Sequence, residues 1–148
     1  MTATPYLCVH DGAAALDFYA SAFGAIEHSR WVDENGRMGH SEFELAGTTF
    51  FLSDEYPEMG VLSAKTLGGC PLAFVVMVED ADAAFAAATA AGATIDRPLV
   101  DEFDGRRAGW LKDPFGFRWN ISTSGPELTN DELQERVGDE FTITHKDA

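Results

Sequence analysis

The sequence predicts an α+β fold: two βαβββ modules in tandem, followed by a short C-terminal helix. Three observations predict it. The order strand–helix–strand–strand–strand can be read twice along the chain. Three punctuation residues recur at a nearly constant shift: Asp11 to Asp80 (69), Gly24 to Gly92 (68) and Gly47 to Gly116 (69), the mark of an internal duplication. Finally, Trp110 to Ser122 reads as two strands joined at Asp113-Pro114-Phe115-Gly116. Pro114 pre-sets φ for a type I turn, and Gly116 supplies the left-handed residue that closes a three-residue loop. Beyond the turn, Phe117, Trp119 and Ile121 alternate with Arg118, Asn120 and Ser122, so one face is aromatic and the other polar.

Each element has a local reason. Tyr6 to His10 reads as a strand. Asp11 caps a helix over Gly12 to Phe23, with Leu16, Tyr19, Ala20 and Phe23 at helical spacing and Gly24 ending it. Ala25 to Val32 is the next strand. Asn35-Gly36 is a hairpin signal, returning through Arg37 to Leu45. A two-residue loop there sets Glu34 opposite Arg37, Trp31 opposite His40 and Ser29 opposite Glu42. Ala46-Gly47 turns into Thr48 to Ser53. Residues 54–70 carry Pro57, Gly60, Gly68 and Gly69 without a period and read as a linker. The pattern then restarts. Leu72 to Glu79 is a strand, and Asp80 or Asp82 caps an Ala-rich helix to Ala91, closed by Gly92. Ala93 to Val100 is a strand broken at Pro98, and Arg106 to Lys112 and Phe117 to Ser122 complete the set. Residues 1–123 therefore form one domain: module one at 4–53, the linker at 54–70, module two at 71–123. In residues 124–148, Thr129 and Glu132 form a capping box with Leu128 and Leu133 as its staple. The helix runs to Val137, and the last residues are expected to fray.

Composition narrows the function. The 148 residues carry a net charge of −15, which argues against nucleic acid, where binding rests on Lys and Arg at phosphates. The ordinary reading of that charge is solubility, and attraction of a cationic ligand is the lesser alternative. The longest apolar run, Leu72 to Val78, is too short for a bilayer, which takes about 20 residues. Met1 to Pro5 lacks the regions of a signal peptide. Cys8 and Cys70 have no paired spacing and suit packed thiols in a reducing cytoplasm. No Ser/His/Asp or Cys/His arrangement and no phosphate loop is legible, and His10 and His28 mark only strand ends.

The paired modules, the Phe18-Tyr19 to Phe23-Gly24 helix end and the Asp113-Pro114-Phe115-Gly116 turn resemble the vicinal oxygen chelate superfamily of glyoxalases, bleomycin-resistance proteins and extradiol dioxygenases. Pro5-Tyr6-Leu7, His40-Ser41-Glu42, Leu52-Ser53-Asp54-Glu55, the stretch from Pro98 to Trp119, and Glu132 to Arg136 are similar to its PhnB-like (demethylubiquinone-methyltransferase-like) branch. The resemblance implies that each module curls into a cup, with helices outside, and that paired modules enclose a small-molecule cavity. It also implies a homodimer. Metal-using members place four His or Glu ligands on the first and last strands of the modules. Here those positions are Thr4, Phe51, Ala73 and Asn120, none of them a donor that divalent sites favour. The resemblance thus implies no metal and no other cofactor at the usual site.

The same resemblance turns Thr4, Phe51, Ala73 and Asn120 inward. By two-residue alternation Tyr6, Thr49, Ser53, Met77, Arg118 and Ser122 follow, and a three-residue loop sets Trp110 opposite Asn120. His40, Glu42 and Glu44 share a face opposite Phe43 and Leu45. That face is inward if the Ala46-Gly47 turn is tight, and outward if the turn is longer. The expected ligand-binding set is Tyr6, Trp31, Phe51 and Trp110 as aromatic walls, with His40, Glu42, Arg118 and Asn120 as polar handles. Three of the handles have more than one reading. His40 is a candidate acid–base group or a packed histidine. Glu42 orients it, holds a stray metal, or is merely salt-bridged or solvated. Arg118 clamps a carboxylate or phosphate, or pairs with Glu42 or Asp113. The leading expectation is a cytoplasmic homodimer that binds a small aromatic or amphipathic molecule without metal, antibiotic sequestration being one form of this. The first alternative is a lyase or isomerase of the same superfamily using His40 and Glu42, metal-dependent or acid–base. The second is a non-catalytic interaction module with a filled cavity.

Overall fold

The computed structural model describes residues 1–144. Module one runs β1 (Tyr6–Val9), α1 (Gly12–Phe23), β2 (Ile26–Val32), β3 (Met38–Leu45) and β4 (Thr48–Asp54). Module two runs β5 (Ala73–Val78), α2 (Ala81–Ala90), β6 (Thr94–Asp101), β7 (Arg107–Lys112) and β8 (Arg118–Thr123), and α3 (Asn130–Val137) follows. The two four-stranded sheets share one topology, β1-β4-β3-β2 and β5-β8-β7-β6. In each, the first and last strands are parallel and the other neighbours antiparallel. The duplication reaches the register: Tyr6 lies opposite Phe51 and Val75 opposite Asn120, both pairs displaced by 69 residues. Neither sheet closes into a barrel. Among the described residues no helix is long and apolar enough to cross a membrane. The end of the tail, residues 145–148, lies outside the described residues.

Capping fixes the helices. Asp11 accepts the Ala14 amide of α1 at 3.0 Å. Gly24 ends the helix at φ 68°, donating to Ala20, while Ala25 donates to Tyr19. For α2 the cap is Asp80, bonded to the Ala83 amide at 2.9 Å; Asp82 instead holds Arg107. Thr129 and Glu132 form the reciprocal box of α3. The buried stripe of α1 is wider than its periodicity suggested. Ala15, Leu16, Phe18, Tyr19 and Ala22 are buried and Ala20 is exposed. The cause is contact on two sides: Tyr19 stacks on Phe43 of its own module (5.5 Å between centroids), and both Phe18 and Tyr19 meet Phe115 of the other.

Three of the four hairpin connections share one device. Asp33, Glu102 and Asp113 each donate to the carbonyl four residues on, and the Gly36, Gly105 and Gly116 amides donate back to them. Each glycine has positive φ, so all three are three-residue loops. The two-residue loop expected at Asn35-Gly36 is thus one residue longer, and Asp33, not Glu34, faces Arg37. A bulge between Trp31 and Val32 absorbs the extra residue, so Trp31 still faces His40 and Ser29 still faces Glu42. The fourth connection, Ala46-Gly47, is tight, with φ of 50° and 76°. That sets Phe43 and Leu45 under α1 and leaves His40, Glu42 and Glu44 on the open face. Pro98 does not break its strand; β6 runs on to Asp101 through a register shift between Arg97 and Val100.

One buried carboxylate fastens the halves. Asp113 of module two accepts the Tyr19 hydroxyl of α1 at 2.8 Å, the Trp119 indole at 2.9 Å, and the Phe115 and Phe117 amides, each at 2.9 Å. Phe50 of β4 packs on Phe74 and Trp119 beside it. Burial pushes the Asp113 carboxyl up, while its four donors pull it down.

Candidate functional site

On module one, the four adjacent strands bring five of the predicted residues onto one open face. Tyr6 (β1) lies opposite Phe51 (β4), Phe51 opposite Glu42 (β3), and His40 opposite Trp31 (β2). The His40 ring is the hub. Its centroid stands 5.6 Å from Tyr6, 5.0 Å from Phe51 and 5.1 Å from Trp31. Its Nδ1 is 3.0 Å from the Tyr6 hydroxyl and its Nε2 is 3.4 Å from Glu42 Oε1. A carboxylate only accepts, so the neutral ring carries its proton at Nε2 and accepts the Tyr6 O–H at Nδ1. Glu42 and His40 are thus paired on the open face. Tyr6 and Trp31 are 54% and 67% exposed, far more than packed aromatics of a closed core would be.

Beside this face lies a cavity of about 460 Å³ lined by Tyr6, Cys8, Gly39, Ser53, Tyr56, Met59 and Val61. Three of these residues come from the stretch read as a plain linker. Arg37 clamps that stretch in place: its guanidinium lies 3.6 Å from the Tyr56 ring centroid and bonds Glu58 and the Glu55 carbonyl. The signal available in the sequence was the cluster of Tyr56, Met59, Val61 and Leu62 between the charged Asp54-Glu55 and the Gly68-Gly69 pair. The Cys8 thiol is pushed up by burial, then by Glu55 and Asp54, so it is a poor thiolate.

Module two presents the remaining three. Trp110 lies opposite Asn120, as the loop length required. The Arg118 guanidinium sits 4.7 Å from the Trp110 ring centroid. Its partner is neither Glu42 nor Asp113. Arg118 donates through Nε and Nη2 to Asp96 of β6, at 3.1 and 2.8 Å, and Lys112 meets the same carboxylate at 3.3 Å. These bonds, Arg118 first, hold the Asp96 carboxyl below its usual range. Asn120 is buried and donates to the Gly109 carbonyl at 3.3 Å. Among the described residues, no hydrogen bond, aromatic pair or cavity joins this trio to the five on module one. The predicted single pocket is therefore two half-faces within one chain. Val75 and Met77, 58% and 50% exposed, give the second half-face an apolar floor.

The four positions where metal-using relatives carry ligands do not fit a cation. Thr4 is exposed ahead of β1, Phe51 and Ala73 are hydrocarbon, and the Asn120 amide is spent on Gly109. Among the described residues no three His, Cys, Asp or Glu side chains converge as a ligand set.

Fold and site together define an α+β protein of two four-stranded sheets with an open aromatic face. The model of the glyoxalase/bleomycin resistance protein/dioxygenase superfamily matches residues 2–121, and the chain belongs to that superfamily. An uncharacterized protein of Mycobacterium bovis is 37% identical over 134 residues, covering 88% of each chain. The crystal structure of an Arabidopsis thaliana gene product superimposes with a TM-score of 0.66 at 31% identity, over 82% of this chain and 98% of that one. A PhnB protein of Bacillus cereus, described as a putative 3-demethylubiquinone-9 3-methyltransferase, gives a TM-score of 0.66 at 25% identity, over 84% of this chain and all of that one.

Proposed function

We propose that this chain binds a small aromatic or amphipathic molecule on the Tyr6–Trp31–His40–Phe51 face, without a metal or other cofactor, as a homodimer. A second copy lays its Trp110–Arg118 half-face over that surface and completes the cup. The observation that carries the reading is the exposure of Tyr6, Trp31, Val75 and Met77 on open sheet faces, beside four family positions filled by Thr, Phe, Ala and Asn. Apolar surface of this kind is stabilised when a ligand or a partner removes it from water. The net charge of −15 favours a basic ligand, and sequestration of a cationic aromatic antibiotic is one form of the function. The cytoplasm, kept reducing, suits the free thiols Cys8 and Cys70. The open 460 Å³ cavity argues against an interaction module with a filled interior.

The test joins sedimentation with Trp fluorescence during titration by cationic aromatic compounds. The expected result is a dimer whose fluorescence saturates, with Trp31→Ala weakening binding about tenfold, as loss of an aromatic anchor does. Stoichiometric zinc, iron, manganese or nickel in metal-replete protein overturns the metal-free reading. A monomer at all concentrations overturns the shared cup.

One observation favours a second reading, an acid–base lyase or isomerase. Glu42, His40 and Tyr6 form a hydrogen-bonded chain that ends in a phenol at the cavity wall. The imidazole could take the Tyr6 proton while the phenol takes one from a bound molecule. Once a substrate is found, turnover unchanged in His40→Ala excludes it.

A further inference from the structure

A different cavity, joined to the first by the bond from the Ala64 amide to the Cys8 carbonyl, has the opposite character. It measures about 440 Å³ and lies where the loop 64–70 folds against the turn between β7 and β8. Lys65, Lys112 and Arg118 line it, three of the chain's ten Lys and Arg. One carboxylate, Asp113, belongs to its wall, and a second, Asp96, pairs with two of the cations from outside it. Asp113 is turned inward onto its four buried donors. Asp96 lies between Lys112 and Arg118 and neutralises one of the two. Among the described residues, the Lys65 ammonium meets His10 Nε2 at 3.3 Å and no carboxylate within salt-bridge distance. Among the lining side chains cations outnumber carboxylates three to one, with Asp96 beside Lys112 and Arg118 and Glu55 bonded to Ser63 and Thr66 at the start of the loop.

The frame around these cations is rigid. A Cβ on Gly116 would come within 3.1 Å of the Ala64 Cβ and 3.2 Å of the Lys65 amide nitrogen, so the loop lies directly on the turn. Gly68 and Gly69 take positive φ and turn the chain without side chains in the opening. Trp110 backs the Arg118 guanidinium, and Asp96 fixes its fork.

We propose that this cavity is a binding site for a small phosphate-bearing anion, distinct from the aromatic face of the same chain. The ammonium groups of Lys65 and Lys112 supply point charge, and the N–H groups of Arg118 not used on Asp96 supply direction. Asp96 sets the affinity, because it competes with the ligand for the same two cations. Arg118 is the only residue shared with the set expected from sequence.

Inorganic pyrophosphate is the probe, titrated into the full chain and followed by amide and Arg side-chain NMR shifts. Saturable shifts are expected at Lys65, Gly68, Gly69, Gly116 and the Arg118 Nε–H, and they should weaken as salt screens the charges. Lys65→Ala should weaken binding about tenfold, and Asp96→Asn should tighten it by about the same factor, each being one unit of charge at the site. A purely structural role for Asp96 predicts no tightening. Shifts that do not saturate, shifts centred on Tyr6 and His40, or Asp96→Asn binding more weakly than the parent would each overturn the proposal.

Discussion

The two modules are copies in topology, yet they close the same hairpin in different ways. Between β3 and β4 the chain turns on Ala46 and Gly47 alone, with nothing around Gly47 to pack against. Between β7 and β8 it turns on Asp113 to Phe117, and the carboxylate at its start gathers four donors, one of them from the other module. One extra residue in a loop shifts the return strand by one position. Asn120 therefore faces Trp110, whereas its counterpart Phe51 faces Glu42. A difference of one loop residue thus sets an indole in one copy where the other has a carboxylate. Duplication supplied the scaffold, and turn length decided which chemistry each open face received.

The largest effect should fall on the strut. Asp113→Ala strands a tyrosine hydroxyl, an indole N–H and two amides in the core. It should cost about 4 kcal/mol or more in urea unfolding, since each buried unpaired polar group costs about 1–3 kcal/mol. Its titration sharpens the comparison. Burial raises the folded carboxyl above the unfolded value of about 3.9, so the folded chain holds that proton more tightly. Stability from this group is fully present below the unfolded value and declines as pH rises through the folded one. The stability gap between the parent and the non-titrating Asp113→Asn should therefore narrow on going from acid to neutral pH. A gap that widens would mean that the four donors outweigh burial.

The helices differ next. α1 buries Leu16, Phe18 and Tyr19, whereas α2 buries only one large side chain, Phe85. Gly109 lets β7 approach that ring, since a Cβ there would stand 2.8 Å from it. Phe85→Ala should cost about 3–4 kcal/mol, read by urea unfolding, because no second aromatic on α2 shares the load. The turn glycines should differ less. Gly47→Ala adopts a left-handed residue in open space and should cost about 1 kcal/mol. Gly116→Ala meets Ala64 and Lys65 as well and should cost about twice as much, with loop 64–70 displaced in its NMR spectrum. Equal costs would show that the loop yields freely.

What the sequence made legible was local or repeated. Caps, turn glycines and alternation are written in a few adjacent residues, so both modules and the Trp110–Asn120 pair follow from it; the Trp31–His40 pair holds only because a bulge offsets the longer loop, and the sequence leaves open which face His40 takes. The misses were non-local. Asp96 as the partner of Arg118 required knowing that β6 carries two register shifts, which no periodicity records. The separation of Trp110, Arg118 and Asn120 from the His40 cluster depends on how two finished modules pack through Tyr19, Phe50 and Trp119. The cavity residues Tyr56, Met59 and Val61 lie in an aperiodic stretch, where alternation has nothing to say.

The smallest prediction has the opposite sign, and it comes from aligning the modules by register instead of by residue number. Once the extra loop residue is counted, Ser41 of β3 corresponds to Gly109 of β7. Module two has no polar side chain at that place. Module one has a hydroxyl that is fully buried and lacks a hydrogen-bond partner. A buried hydroxyl without a partner has lost its water and gained nothing in return. Ser41→Ala removes it while keeping the Cβ that packs on the core, so it should stabilise the chain by about 0.5–1 kcal/mol in urea unfolding, an effect of the size expected for relieving one unpaired group. Gly109→Ser, the reverse change, cannot be accommodated, because its Cβ would also lie 3.0 Å from the Leu99 amide nitrogen. If Ser41→Ala destabilises instead, the hydroxyl has a partner in solution, a bound water at the seam between β3 and α1. The asymmetry of the two copies would then extend into hydration as well as turn length.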